Sequence, residues 1–343
     1  MIPPMLKNSL QFILDKYIYL RYKKKIVIGN RPYRWCRIPV PDNYPRQSQT
    51  HPSIIHFGEK WEGGSHWLAT TPYPDQQVKY ENPCIYYADE DSAGSPPVVF
   101  TPIKNNPILP WPKGDKFNSD VELYYENNTL YSFIRVYDNR TLRKELKVQT
   151  SHDGHVWDPP YTLFAIMDPD MELLSPSVLK YKDQYRFYCL NGNAGIYRKG
   201  ICTGIDIWEG ASLAETGSNF KQVATGRFLN KEDVGIEPWH CDVFEYAGKL
   251  YMVLCARDVK AKTFRAPMET YLAVSDNYRD FYIFPYSLIR HIKTYRPSAY
   301  MDGDRFYLYF SSTGYYLNDG SDRNIGVASF DMRKLLQELK TAQ

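Results

Sequence analysis

A hairpin written five times constrains this chain more than any other feature of its sequence. Its clearest copy runs Leu174-Ser175-Pro176-Ser177-Val178-Leu179-Lys180-Tyr181, turns through Lys182-Asp183-Gln184, and returns through Tyr185-Arg186-Phe187-Tyr188. Period-two alternation on both sides of a short polar turn predicts two antiparallel strands. The same grammar begins at Arg296-Pro297-Ser298 and turns at Asp302-Gly303, a strong hairpin signal. It begins again at His240-Cys241-Asp242, at Asp120-Val121-Glu122, and at His51-Pro52-Ser53, the last with a longer turn through Gly63-Gly64.

The copies share a register. Glu122 to Leu130, Ser177 to Tyr185, Asp242 to Leu250 and Ser298 to Phe306 each span eight residues. The copies start at 51, 120, 175, 240 and 296, at intervals of 69, 55, 65 and 56 residues. A period of this size marks a repeat architecture. Further strand patterns close on polar turns between the copies, as in Val148-Gln149-Thr150-Ser151-His152-Asp153-Gly154. Three or four strands in each of five units predict an all-β fold, a five-bladed β-propeller with short helices at both ends. A β-sandwich with accidental similarity between hairpins is the alternative, and the common register argues against it.

The expected organisation is an N-terminal helix with lead-in strands over 1–49, the propeller over 50–331 and a C-terminal helix over 332–343. Leu6, Leu10, Ile13, Tyr17 and Leu20 have helical spacing, so 5–24 reads as an amphipathic helix docking on the propeller or on a partner. A strand within 25–38 is expected to complete the last blade, which removes an open sheet edge. The start of the chain lacks a charged stretch followed by an apolar run, so neither a secretory signal nor a transmembrane segment is expected. The corresponding location is cytoplasmic or virion-associated.

Charge excludes one class of partner. The net charge is +3 with no basic block beyond Lys23-Lys24-Lys25, so nucleic acid is not an expected ligand. The six cysteines (Cys36, Cys84, Cys189, Cys202, Cys241 and Cys255) are scattered without zinc spacing, several in apolar strands. They read as buried free thiols, and the sequence predicts no metal and no cofactor.

In a propeller the first strand of each blade lines the axis, where ligands bind at one mouth. The leading positions are His51, Asp120, Ser175, His240 and Arg296; two residues on, on the same side of each strand, come Ser53, Glu122, Ser177, Asp242 and Ser298. Carboxylates, imidazoles and a guanidinium along an axis must be paired or solvated. They form either a functional pocket or a polar ring that ties the blades together. Glu172 and Glu237 each lie three residues before a leading position, and Glu81 sits in the turn Glu81-Asn82-Pro83. All three are placed to reach over the mouth, with Trp239 and Tyr295 at its border.

Five blades, the Pro/Ser-containing hairpin starts and the axial carboxylates resemble the five-bladed glycoside hydrolases, the clan of family 43 arabinanases and xylosidases and family 32 fructosidases. The resemblance covers residues 50–330. It implies an axial Asp in the second blade, matched by Asp120, whereas His51 stands where those enzymes carry a first-blade Asp. His51-Pro52-Ser53, Tyr80-Glu81-Asn82-Pro83 and Pro238-Trp239-His240-x-Asp242 also resemble propellers associated with bacteriophages and bacterial surface glycans. The leading expectation is a glycosidase acting on a polysaccharide or oligosaccharide. Asp120 or Asp242 would serve as base and Glu237 as acid, with Pro238 holding Glu237 extended. His51, Glu81, Glu122, Glu172, Trp239, His240, Tyr295 and Arg296 would grip the sugar. A non-catalytic glycan-binding propeller and a polysaccharide lyase using Arg296 to neutralise a uronate are the alternatives.

Overall fold

The computed structural model describes residues 33–90, 95–168, 171–192, 202–215, 219–259, 268–289, 292–315 and 323–341. The expected N-terminal helix over 5–24 lies outside them. The described chain forms five four-stranded antiparallel sheets. Blade one is β2 (Gln49–Trp61), β3 (Gly64–Pro72), β4 (Cys84–Ala88) and β5 (Thr101–Pro102). Blade two is β6 (Lys116–Glu126), β7 (Thr129–Asp138), β8 (Lys144–Ser151) and β9 (Tyr161–Ile166). Blade three is β10 (Leu174–Tyr181), β11 (Gln184–Asn191), β12 (Gly204–Gly210) and β13 (Lys221–Gly226). Blade four is β14 (Ile236–Tyr246), β15 (Lys249–Asp258), β16 (Met268–Ser275) and β17 (Tyr282–Ile283). Blade five is β18 (Ile292–Asp302), β19 (Arg305–Tyr315) and β20 (Asn324–Asp331), and its outermost strand is β1 (Tyr33–Trp35) from the start of the described chain.

The first strands of the blades touch in cyclic order, β2 to β6 to β10 to β14 to β18 and back to β2. The ring closes through β1, which pairs antiparallel with β20 from Tyr33↔Ala328 to Trp35↔Gly326 and covers its free edge. Tight turns set the hairpin registers. Asn127 and Asn128, Lys182 and Asp183, and Ala247 and Gly248 all take positive φ, the twist that matches right-handed strands.

Apolar side chains pack between blades rather than along the axis. One cluster joins blades three and four through Leu190, Ile205, Leu254 and Tyr271. Another joins blades four and five and takes up Met332, Leu335 and Leu339 of the C-terminal helix, here α2 (Met332–Thr341); α1 is the short turn of helix Lys231–Val234. All six cysteines are free, five of them buried and Cys36 half-buried. No helix among the described residues is long and apolar enough to cross a membrane.

The axis is lined by two layers with different work. In the deeper layer, the side chain of one blade receives a backbone N–H from the next blade. Ser53 accepts from Leu123 at 2.8 Å, Ser177 from Val243 at 3.0 Å, Asp242 from Ala299 at 2.8 Å and Ser298 from Ile54 at 3.1 Å. This layer is a hydrogen-bonded hoop. It satisfies backbone donors that the parting of neighbouring blades would leave unpaired.

Candidate functional site

The upper layer is built by an irregularity that recurs in every first strand. Pairing with the second strand slips between Thr50 and Ser53, Ser119 and Val121, Leu174 and Ser177, Pro238 and His240, and Thr294 and Pro297. At three of these bulges a non-glycine residue takes positive φ: His51 (49°), Asp120 (50°) and Ser175 (51°). Such residues cost roughly 1–3 kcal/mol each and persist where the surroundings hold them, typically at functional sites. The bulges aim His51, Asp120, His240 and Arg296 at one another.

Asp120 is the hub and is fully buried. Its Oδ1 lies 3.6 Å from His51 Nε2, 3.6 Å from His240 Nδ1 and 3.4 Å from Arg296 Nη1, while Oδ2 pairs with Arg135 Nε at 3.1 Å. Burial pushes this carboxyl up, but Arg135, His51, His240 and Arg296 outweigh it and hold the group well below the usual carboxylate range. Burial drives His240 in the opposite sense, well below the usual imidazole value, with Asp120 opposing, so the ring is neutral.

Second partners hold both rings. His51 Nδ1 sits 2.8 Å from Thr71 Oγ1 and 3.0 Å from Glu81 Oε1, and Glu81 Oε1 also accepts from Ser119 Oγ at 2.8 Å. His240 Nδ1 is 2.5 Å from Ser175 Oγ. The Nε2 atoms of both histidines are buried without a hydrogen-bond partner. Ligand atoms of His51, Asp120 and His240 lie within 4.8 Å of one another. Two ligands of one tetrahedral cation, each about 2.1 Å from it, sit roughly 3.4 Å apart, close to the 3.6 Å between His51 Nε2 and Asp120 Oδ1. Two imidazoles and an ionised carboxylate, with His51 Nδ1 oriented by Glu81, match a divalent-metal donor set and its supporting hydrogen bonds. These three candidate ligands come from three blades, so their spacing in the sequence carries no metal signal.

Above them opens a cavity of about 280 Å³. His51, His240, Glu81, Trp239 and Tyr295 line it, together with Tyr73, Val78, Phe117, Ser119, Arg135, Leu174 and Arg323. Burial pushes the Tyr295 phenol up to about 12, against Arg323 and the Trp239 N–H. Trp239 Nε1 donates to Tyr295 Oη at 3.2 Å, which leaves the phenol hydrogen available to the cavity.

Of the residues singled out from sequence, His51, Glu81, Trp239, His240 and Tyr295 therefore share the cavity wall, with Asp120 in contact with both histidines. The others lie elsewhere. Arg296 is fully buried and binds Asp120 and Glu122; Glu122 and Asp242 belong to the hoop, with Ser177 Oγ donating to Glu122 at 3.3 Å and to Asp242 at 2.6 Å. Burial and Asp242 raise Glu122 well above its ordinary value, against Arg296, Ser53 and Ser177. Glu172 is buried in the field of Arg135 and Lys144. Glu237 accepts from Cys202 N–H and from Lys231 Nζ at 3.2 Å, outside the cavity lining. Sequence reasoning missed Arg135, Tyr73, Phe117, Ser119 and Arg323. Only Arg135, a cation inside the apolar run Ser132-Phe133-Ile134-Arg135-Val136, carried a local signal.

No family profile matches the chain. An A-type blood N-acetyl-α-D-galactosamine deacetylase of Flavonifractor plautii is 24% identical over 246 residues, which span 60% of this chain and 30% of that protein. The crystal structure of an N-acetylgalactosamine deacetylase from F. plautii, in complex with blood group B trisaccharide, superposes with a TM-score of 0.72. It is 18% identical and covers 90% of this chain and 98% of that one. A family 43 enzyme from Xanthomonas citri superposes at 0.57 with 14% identity over 83% and 89% of the two chains. The β-xylosidase RS223 does so at 0.57 with 15% identity over 87% and 94%. The fold is theirs. This chain is a five-bladed propeller of the family 43 type in architecture. None of these proteins is described as a phage component.

Proposed function

We propose that the chain is a metal-assisted hydrolase that removes an acetyl group from an N-acetylated sugar. One observation carries this reading: His51, Asp120 and His240 meet in a metal-binding arrangement beneath the sugar-sized cavity, with both Nε2 atoms unpartnered. The likeness to an N-acetylgalactosamine deacetylase supports it. A glycosidase needs two carboxyl groups facing each other across the scissile bond, roughly 5–10 Å apart. Here Glu81 is the one carboxylate in the described cavity lining, and Asp120 is committed to Arg135, Arg296 and the histidines.

In hydrolysis, water adds to the acyl carbon, the C–N bond breaks, and acetate and an amine leave. A divalent cation held by His51, Asp120 and His240 would supply Lewis-acid polarisation of the acyl oxygen. Glu81 is the wall carboxylate placed to take the proton from water and return it to the departing nitrogen. Tyr295 keeps a neutral O–H to donate to the developing oxyanion. Trp239 and Phe117 offer flat apolar surface to the sugar ring.

The test is incubation with oligosaccharides ending in N-acetylgalactosamine or N-acetylglucosamine, scoring acetate, free amine and reducing ends. Acetate and amine should appear, stop after dialysis against a chelator and return with added zinc or manganese. New reducing ends without acetate would restore the glycosidase reading; affinity without either product would make the chain a binding module.

A further inference from the structure

Arg323 presents a charge to the cavity that the described protein does not neutralise. Its backbone is pinned, with its N–H donating to Ser48 Oγ at 3.3 Å and its carbonyl accepting from Gln49 N–H at 2.7 Å. Its guanidinium lies between two phenols, 4.9 Å from the Tyr73 ring centroid and 4.4 Å from that of Tyr295. Arg323 Nε is buried without a hydrogen-bond partner, and among the described residues no carboxylate pairs with the side chain. The other charged groups of the wall are engaged: Arg135 with Asp120, and Glu81 with His51 and Ser119.

A held, planar cation facing a small cavity is arranged to receive an anion, because the fork of N–H donors suits carboxylate and sulfate oxygens and the stacking removes the freedom such a bond would cost. Tyr295 fixes where that anion stands. One phenol ring touches His240 at 4.4 Å and His51 at 5.6 Å between centroids, and also carries Arg323. The guanidinium is thus one ring away from the histidine pair, and a single sugar unit reaches both. The cavity lies below the roughly 300–1,000 Å³ of sites that enclose larger ligands.

We infer that Arg323 selects an acidic sugar, an N-acetylated unit bearing a carboxylate or sulfate that meets this guanidinium. The inference rests on the reading of the cavity as a sugar site. The probes are the methyl glycosides of N-acetylgalactosamine, N-acetylgalactosaminuronic acid and N-acetylgalactosamine 6-sulfate, titrated calorimetrically and assayed for acetate release on the zinc-loaded full chain. At low salt an acidic glycoside should bind about tenfold tighter than the neutral one, and the preference should shrink as salt rises. Arg323→Gln should bring acidic affinity down to the neutral level. Arg323→Lys, which keeps the charge without the fork, should retain part of the preference and serves if the glutamine variant does not fold.

Equal wild-type affinity for all three glycosides, or affinity for none, overturns the inference, as does a preference that survives in Arg323→Gln. Acidic preference in binding without acetate from any probe supports the anion site and sinks the deacetylase. Acetate released at equal kcat/KM from all three does the reverse.

Discussion

Asp120 and Glu237 show how two carboxylates that the sequence offers for catalysis receive different work. Asp120 stands among two guanidiniums and two imidazoles; removing its charge leaves those groups facing one another, at a cost of about 3–5 kcal/mol for a buried network that loses one member. Asp120→Asn should therefore lose both acetate release and zinc affinity and melt earlier than wild type, as dialysis with metal analysis and thermal unfolding would read. Glu237 instead caps Cys202 N–H and pairs with Lys231, the first residue of α1. Glu237→Gln should lower the melting temperature and leave the metal content unchanged. A variant that folds as wild type but has lost its zinc would bring Glu237 back to the site.

The working element is the bulged first strand together with the hoop beneath it. A regular strand would send alternate side chains to the axis with one spacing. The bulge adds a residue, so that a layer of candidate ligands stands above a layer of interblade acceptors. Blades also meet at their outer strands, and there Gly226 at the end of β13 is decisive. A Cβ at Gly226 would lie 2.1 Å from the backbone carbonyl oxygen of Arg279, which follows β16 in blade four. Backbone cannot step aside as a flexible side chain can. Gly226→Ala should cost about 3 kcal/mol, seen as a lower urea midpoint with an unchanged slope. An unchanged midpoint would show that blades three and four slide apart freely.

For the whole molecule, buried titratable groups set how stability follows pH. Burial, with His56 adding and Asp89 opposing, lowers His66 to about 3, while its Nε2 and Nδ1 engage Tyr300 Oη at 2.8 Å and Ser65 Oγ at 3.0 Å. The folded state therefore binds fewer protons than the unfolded chain between about pH 6.5 and 3. This contribution is complete above about 6.5 and is lost as pH falls, and His240 acts in the same direction. Asp206 opposes them, as do Glu122, Glu172 and Asp242, all raised by burial. Burial raises Asp206 to about 6, against Thr225, Asn191 and Gln222, so its contribution is present at acid pH and lost as pH rises towards 6. Against wild type over pH 6.5 to 4.5, the loss of melting temperature should be smaller in His66→Gln and larger in Asp206→Asn. A His66→Gln profile parallel to that of wild type would contradict a buried neutral His66.

What the sequence determined by itself is the repeat. Period-two alternation, two-residue turns and an eight-residue register are properties of neighbouring residues, and they survive without knowledge of the rest of the chain. They sufficed for five blades, for the completing strand at the N-terminal side and for the leading positions His51, Asp120 and His240. Only the tertiary structure decided depth and partnership. Glu122 and Asp242 look like Asp120 in sequence, yet ring closure sinks them into the hoop, where neighbouring blades use their oxygens. Arg323 and Tyr73 come from outside the repeat and meet over Tyr295. The reason is physical: strand and turn preferences are local, whereas axial depth, charge pairing and a ligand set drawn from three blades arise from contacts between segments tens to hundreds of residues apart.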